Sequence, residues 1–407
     1  MQLAYGHEHI ELALPEQVKV ISGRGAEALL DPVTAVQAAL RAPIGSPALS
    51  SLLGSDHKVV VLISDSTRPT GADLFLPILL QELELCGVKD ENITLMVATG
   101  AHGVLHDQEL DALVSPETRQ RYRLLAHDCF DQSGLVMVGT TSRGNDVWLN
   151  RIAVEADLRI LTGAVSVHPF AGFGGGRKAL FPGVAGYESI CRNHALMMHP
   201  KAKPGILAGN PVHEDLMEGV AMAGPLFLLN SVINEAGEMA AIFGGDVEQA
   251  HAAGVRAVLD SAVATVPTAY DTVIASAGGF PYDINLYQAV KAMQNADRIV
   301  KEGGQIVLFA QCEQGIGSAK FEEWGKQRLS SQQLGEQLAR QFILGKHKCY
   351  FVSEILEQAD IYLCSSLPDE LVCELGLKPF HSLDEIGLQG DVVVMPRATA
   401  TLPQIEE

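Results

Sequence analysis

The chain lacks most of what would assign it to a membrane, a nucleic acid or a metal centre built from protein ligands alone. No apolar run in its 407 residues reaches the roughly 18 needed to span a bilayer. The start, MQLAYGHEHIELALPE, has no basic stretch followed by an apolar one, so no signal peptide is expected. The seven cysteines are scattered, odd in number and without a Cys-x-x-Cys pair. That argues against a disulfide framework or a cysteine zinc site and suits a reducing cytoplasm. Positive charge is also scarce: 29 Lys and Arg against 49 Asp and Glu give a formal net charge of −20. Nucleic acid and anionic membrane would be repelled as partners. A small anionic substrate would be repelled as well, so its site must supply cations locally. The basic residues set in apolar or Gly-rich sequence are therefore the informative ones: Arg68, Arg177, Lys178 and Lys291.

What is present reads as an ordinary globular chain, 47% hydrophobic and 19% charged, long enough for two domains. No internal repeat or low-complexity tract interrupts it. Short strands at Glu11–Leu14 and Val18–Ile21 and a helix at Pro32–Arg41 are expected first. Lys58–Ser64 is a continuous apolar run of strand length, as in sheets buried on both faces, and Ile93–Ala98 and Leu158–Thr162 read as a second buried strand and a third strand. The first breaks into Asp65–Thr70 and is followed by a helix pattern (Leu74–Leu85), the second ends in Thr99–Gly103, and the third leads through Gly163–Val167 into a Gly-rich stretch. Strand, polar loop and helix in succession predict an α/β fold. Phe227–Ile233 and Glu238–Phe243 predict a hairpin, followed by a helix at Val247–Leu259. Ser261–Thr272 reads as a connection between domains. A second α/β unit then follows, with strands at Thr272–Ser276, Gln305–Phe309, Asp360–Cys364 and Val392–Val394 and a helix from Asn285. The domain boundary is placed at 267/268, with residues 1–267 as the N-terminal domain and 268–407 as the C-terminal one.

Sheets of this type bind ligands outside the carboxyl ends of their strands. Arg68, His102 and His168 each follow such an end, so parallel strands would bring them to one rim. Either histidine alone reads equally well as a ring satisfying loop hydrogen bonds. As a pair they fit two general acid/base groups. Arg68 suits bidentate recognition of a carboxylate or a plain salt bridge. Ser66 and Thr67 suit a turn cap or a phosphate contact. Gln288 and Lys291 are i and i+3 near a helix start and share one face.

The densest feature is HPFAGFGGGRKALFPGVAGYESICRNH, from His168 to His194. Five glycines fall within the twelve residues 172–183, around Arg177-Lys178. Such a run takes positive φ readily and lets the backbone approach a ligand closely. It is not a P-loop, because Arg177 and Ala179 flank the lysine where Gly and Ser or Thr are needed. Lys178 reads as a solvated loop residue, a phosphate ligand or a covalent attachment point. No cluster of three His, Cys or carboxylate ligands appears at a recognisable spacing. A metal held mostly by a cofactor, with one protein ligand, stays open.

Asp65-Ser66-Thr67-Arg68-Pro69, Thr99-Gly100-Ala101-His102, His168 to Lys178, Asn193-His194 and Tyr287 to Lys291 together resemble the nickel-dependent lactate racemase family. The resemblance covers most of the chain, in order and with matching spacing. It implies two α/β domains with the active site in the cleft between them. It implies a nickel-pincer nucleotide, pyridinium-3,5-bisthiocarboxylic acid mononucleotide nickel, with His194 as metal ligand and Lys178 as its point of covalent attachment. Asp65, Ser66, Thr67, Gly174 and Gly175 would hold the nucleotide. His102 and His168 would be the two bases of a 2-hydroxy acid racemase or epimerase working by hydride transfer. Arg68, Gln288 and Lys291 would bind the small anionic 2-hydroxy acid. Cofactor-biosynthesis proteins of the host are implied as partners. Arg177 departs from the family pattern; it reads as an extra cation favouring a more anionic substrate, such as malate or a sugar acid, or as a contact to the cofactor phosphate. The alternatives are a protein that binds or stores the cofactor without racemase activity, and a hydroxyacid lyase or hydratase.

Overall fold

The architecture is that of a computed structural model, which describes residues 1–14, 18–66, 68–101 and 105–406. The chain forms two compact units: Ala26–Asp260, and Met1–Gly25 together with Ser261–Glu407. Both are α/β, in agreement with the expectation.

In the unit Ala26–Asp260, a six-stranded sheet runs in the order Met239–Gly245, Leu226–Ile233, Leu158–Ala164, Val59–Ile63, Ile93–Val97, Arg123–Ala126. Neighbours are parallel except for the hairpin partner Met239–Gly245. The strand Val59–Ile63 is buried throughout. Alternate side chains feed two cores: Val59, Val61 and Ile63 pack with Phe75, Leu79 and Leu83 of the helix Ala72–Leu85, while Val60 and Leu62 pack with Leu180, Phe181 and Leu216. At about 1.5–3 kcal/mol per buried aliphatic side chain, this two-sided burial explains why the strand carries no polar alternation. Numbered along the chain, the strands lie in the order 3-2-1-4-5-6. The first and fourth, Val59–Ile63 and Leu158–Ala164, are adjacent, and the connections leave them in opposite directions. Such a switch point opens a crevice outside the carboxyl ends of its two strands.

In the other unit a six-stranded sheet is parallel throughout, in the order Lys378–Pro379, Asp360–Cys364, Val300–Phe309, Tyr270–Ser276, Val392–Met395, Lys19–Val20. The helix Leu286–Asp297 crosses between two of its strands and is capped by Asn285, whose side chain accepts from the Gln288 N–H.

Two expectations differ from this arrangement. Residues 1–25 were assigned to the N-terminal domain, yet Lys19–Val20 pairs with Val393 and Val394, and the Ser276 hydroxyl donates to the Ala4 carbonyl. The division falls at 260/261 rather than 267/268, because Val263–Val266, read as part of a connection, is a strand paired with Leu402–Ile405.

Candidate active site

The loops at the carboxyl ends of Val59–Ile63, Ile93–Val97 and Leu158–Ala164 carry several of the expected residues. The loop after Val59–Ile63 carries Asp65, Ser66 and Arg68; Asp65 is buried, while Ser66 and Arg68 are exposed. The loop after Ile93–Val97 begins with Thr99, whose hydroxyl donates to the His127 carbonyl, and Gly100, whose N–H donates to Gly183 O at 2.9 Å. Because the strands are parallel, these loops and the one after Leu158–Ala164 share one rim, as the sequence required. Thr67 and His102 lie outside the described residues.

After Leu158–Ala164 the chain makes a short hairpin, Val167–His168 against Gly172–Phe173. Phe170 sits at its tip, buried, with its carbonyl held by Asn210 Nδ2 at 2.9 Å. Around the Phe170 ring stand three residues singled out from the sequence. His168 meets it edge-on, with centroids 4.7 Å apart; His194 does so at 5.2 Å; and Lys178 Nζ lies 6.0 Å from its centroid. His168 Nδ1 accepts from the N–H groups of Phe170 and Ala171 at 3.4 and 3.2 Å. That fixes the orientation of the ring.

His194 is presented by the helix Tyr187–Ala195, which Asn193 fastens from below. Asn193 Nδ2 donates to Val212 O and to Asp215 at 2.9 Å. Asp215, wholly buried, also accepts from the Thr141 hydroxyl at 2.5 Å and from Asn145 Nδ2 at 3.0 Å. Nothing in the local sequence marks Asp215, because its partners come from two other segments, the turn holding Thr141 and Asn145 and the helix carrying Asn193.

The Gly run is shaped mainly by packing. A Cβ on Gly176 would stand 2.6 Å from Leu161 O, and Gly175 has φ +117°. Gly174 N–H donates to Ser166 O and Gly176 N–H to Asn230 Oδ1 at 2.6 Å, so both amides are directed into the fold.

Arg177 turns inward, and here the sequence reading is corrected. It is fully buried; Nη1 donates to Gly174 O and His251 Nε2, and Nη2 to Phe173 O and His213 Nδ1. It therefore braces the loop from behind and is not an extra cation for substrate or cofactor. Burial lowers its pKa to about 9, which still leaves it charged at neutral pH. Burial, and then the Arg177 charge, push His213 down to about 4 and His251 well below the usual imidazole range. Neutral imidazoles are what a buried guanidinium needs as acceptors.

Gln288 and Lys291 lie in the other unit and do share a helix face: Lys291 Nζ donates to Gln288 Oε1 at 2.8 Å. Among the described residues no group of three His, Cys, Asp or Glu could hold a metal ion, and no helix is long and apolar enough to cross a membrane. Two imidazoles and a lysine amine around one aromatic ring, without a third metal-ligating side chain among the described residues, leave room for a group that brings its own metal donors.

Fold and site thus define an α/β enzyme with histidine and lysine gathered at a switch point. Sequence models of the lactate racemase N-terminal domain and the lactate racemase C-terminal domain match residues 5–205 and 265–395. A lactate racemase of Thermoanaerobacterium thermosaccharolyticum is 35% identical over 294 residues, 72% of this chain and 68% of that one. A lactate racemase of Lactiplantibacillus plantarum is 37% identical over 289 residues, 70% and 68% of the two chains. The lactate racemase apoprotein structure from Thermoanaerobacterium thermosaccharolyticum superposes with a TM-score of 0.92 at 28% identity, over 99% of each chain. A protein from Thermotoga maritima shares the fold, with a TM-score of 0.68 at 20% identity over 88% of this chain and 96% of the other. The chain belongs to the lactate racemase family and is an isomerase.

Proposed function

We propose that this chain racemises or epimerises a small 2-hydroxy acid, with a nickel-pincer nucleotide as cofactor. The observation that carries the reading is the gathering of His168, Lys178 and His194 about the Phe170 ring, in a chain whose relatives are named lactate racemases. When bound, the nucleotide supplies the acceptor and donor of the C2 hydride. His194 holds its metal and Lys178 attaches it. Asp65, Ser66, Thr67, Gly174 and Gly175 hold the nucleotide; with the Gly174 N–H already committed, its contact is by close backbone approach. His168 Nε2 exchanges the hydroxyl proton for one enantiomer and His102 for the other, since the two hands present that hydroxyl on different sides. Arg68 receives the carboxylate, with Gln288 and Lys291 as further substrate contacts. Bidentate guanidinium recognition fixes C2 relative to the bases, which is where positioning lowers the barrier.

The test is metal and intact-mass analysis of protein purified from a host that makes the cofactor. Nickel near one per chain is expected, with a mass adduct that Lys178→Ala removes. Neither nickel nor adduct from such a host would overturn the reading.

A further inference from the structure

The unit that carries Gln288 and Lys291 holds a second lysine that the sequence does not single out. Lys348, on the helix Lys346–Leu356, is only 3% exposed, and its Nζ lies over the Tyr287 ring, 5.1 Å from the centroid. Tyr287 precedes Gln288, so the ammonium sits against the helix that presents Gln288 and Lys291. Among the described residues no carboxylate lies within ion-pair reach of Lys348, and no side chain accepts a hydrogen bond from it. Its neighbours on its own helix differ: Lys346 donates to Gln337 and lies over Trp324, and Gly345 N–H donates to His347 Nδ1. Lys348 is thus a buried amine without a counter-ion, beside a second cation.

A buried ammonium without an anion is unfavourable unless something supplies the charge or takes the proton away. Burial, and then the Lys291 charge, lower its pKa to about 7, which puts the amine on the edge of ionisation at neutral pH. An arriving anion would hold it protonated. In a chain of net charge −20, a doubly charged substrate needs such a local concentration of cations more than a singly charged one does.

We infer that Lys348, with Lys291 and Gln288, forms an anion seat that receives a second carboxylate, making a 2-hydroxy dicarboxylate the substrate class. Naming that anion as part of a substrate rests on the racemase reading above; the seat itself does not. Lys348 becomes the residue that separates dicarboxylates from lactate-like acids.

The test is calorimetric titration of the full chain without turnover, using malate, lactate and inorganic phosphate at pH 8 in two buffers of different ionisation enthalpy. Wild type is expected to bind malate at least tenfold more tightly than lactate, with uptake approaching one proton. Lys348→Met should lose both the preference and the uptake. Lys348→Arg, which keeps the charge but cannot release the proton, should keep the preference and lose the uptake. Malate preference or proton uptake unchanged in a folded Lys348→Met variant overturns the seat. Lys348-dependent binding of phosphate but not of malate overturns the dicarboxylate assignment. Absence of nickel would remove the racemase reading and leave these binding results standing.

Discussion

The buried cluster of Arg177, His213 and His251 makes the unit Ala26–Asp260 sensitive to acid in a calculable way. His213 is mostly buried and has its pKa lowered to about 4, first by burial and then by Arg177. A folded-state pKa below the unfolded value means that the unfolded chain binds the proton more readily. The stabilisation is therefore complete above about pH 6.5 and is lost as pH falls towards 4. Between pH 7 and pH 5 the linkage relation gives a loss of about 2 kcal/mol from His213 alone. His251 shifts in the same direction and adds to it, though less than independently, because both rings face one guanidinium. His213→Asn keeps an oxygen acceptor for Arg177 and cannot titrate. The two tryptophans, Trp148 and Trp324, fall one in each unit, so a Trp324→Phe background makes fluorescence report on Ala26–Asp260. Urea unfolding at pH 7 and pH 5 should show the variant losing about 2 kcal/mol less than the wild type over that interval. Equal losses in the two proteins would refute the argument that His213 is held neutral by burial and Arg177.

Three further outcomes are expected. Gly176→Ala places a Cβ 2.6 Å from Leu161 O and should cost about 1–3 kcal/mol in urea unfolding; wild-type stability would show that the loop gives way. Asp215→Ala strands donors on Thr141, Asn145 and Asn193, so a loss of at least about 2 kcal/mol is predicted, together with weaker nickel retention beside His194. Unchanged nickel content at that lower stability would sever the link to His194. His102→Ala and His168→Ala should each abolish racemisation while nickel stays bound, and near-normal turnover in either would remove that histidine from the mechanism.

Much of the site was legible because it depends on local pattern. A continuous apolar run marked Val59–Ile63, strand-length segments marked Ile93–Val97 and Leu158–Ala164, and parallel pairing then put the loops after them on one rim. Asn285 followed by an amphipathic run announced its helix, and i, i+3 spacing put Lys291 against Gln288. What could not be read depends on partners far along the chain. A basic residue in a Gly run looks ligand-facing until His213 and His251, 36 and 74 residues on, are seen to enclose it. Lys346-His347-Lys348 resembles a solvated helix face until all three are found buried. The placement of residues 1–25 turns on Lys19–Val20, too short to signal where it pairs.

That last pairing has a consequence for how the molecule is made. The chain leaves one unit at Gly25 and re-enters it at Ser261, where the Gly25 N–H donates to the Ser261 carbonyl at 3.1 Å. The 235 residues between, 26 to 260, form a self-contained sheet and are complete as soon as they clear the ribosome. Lys19 waits for Val393, 374 residues later, which at about 5–20 residues per second is roughly 20–75 s of synthesis. Throughout that interval Lys19–Val20 lacks its partner strand. The charge of Lys19 guards that short strand against mispairing. A strand made before Ala26–Asp260 is thus paired only after that unit is finished.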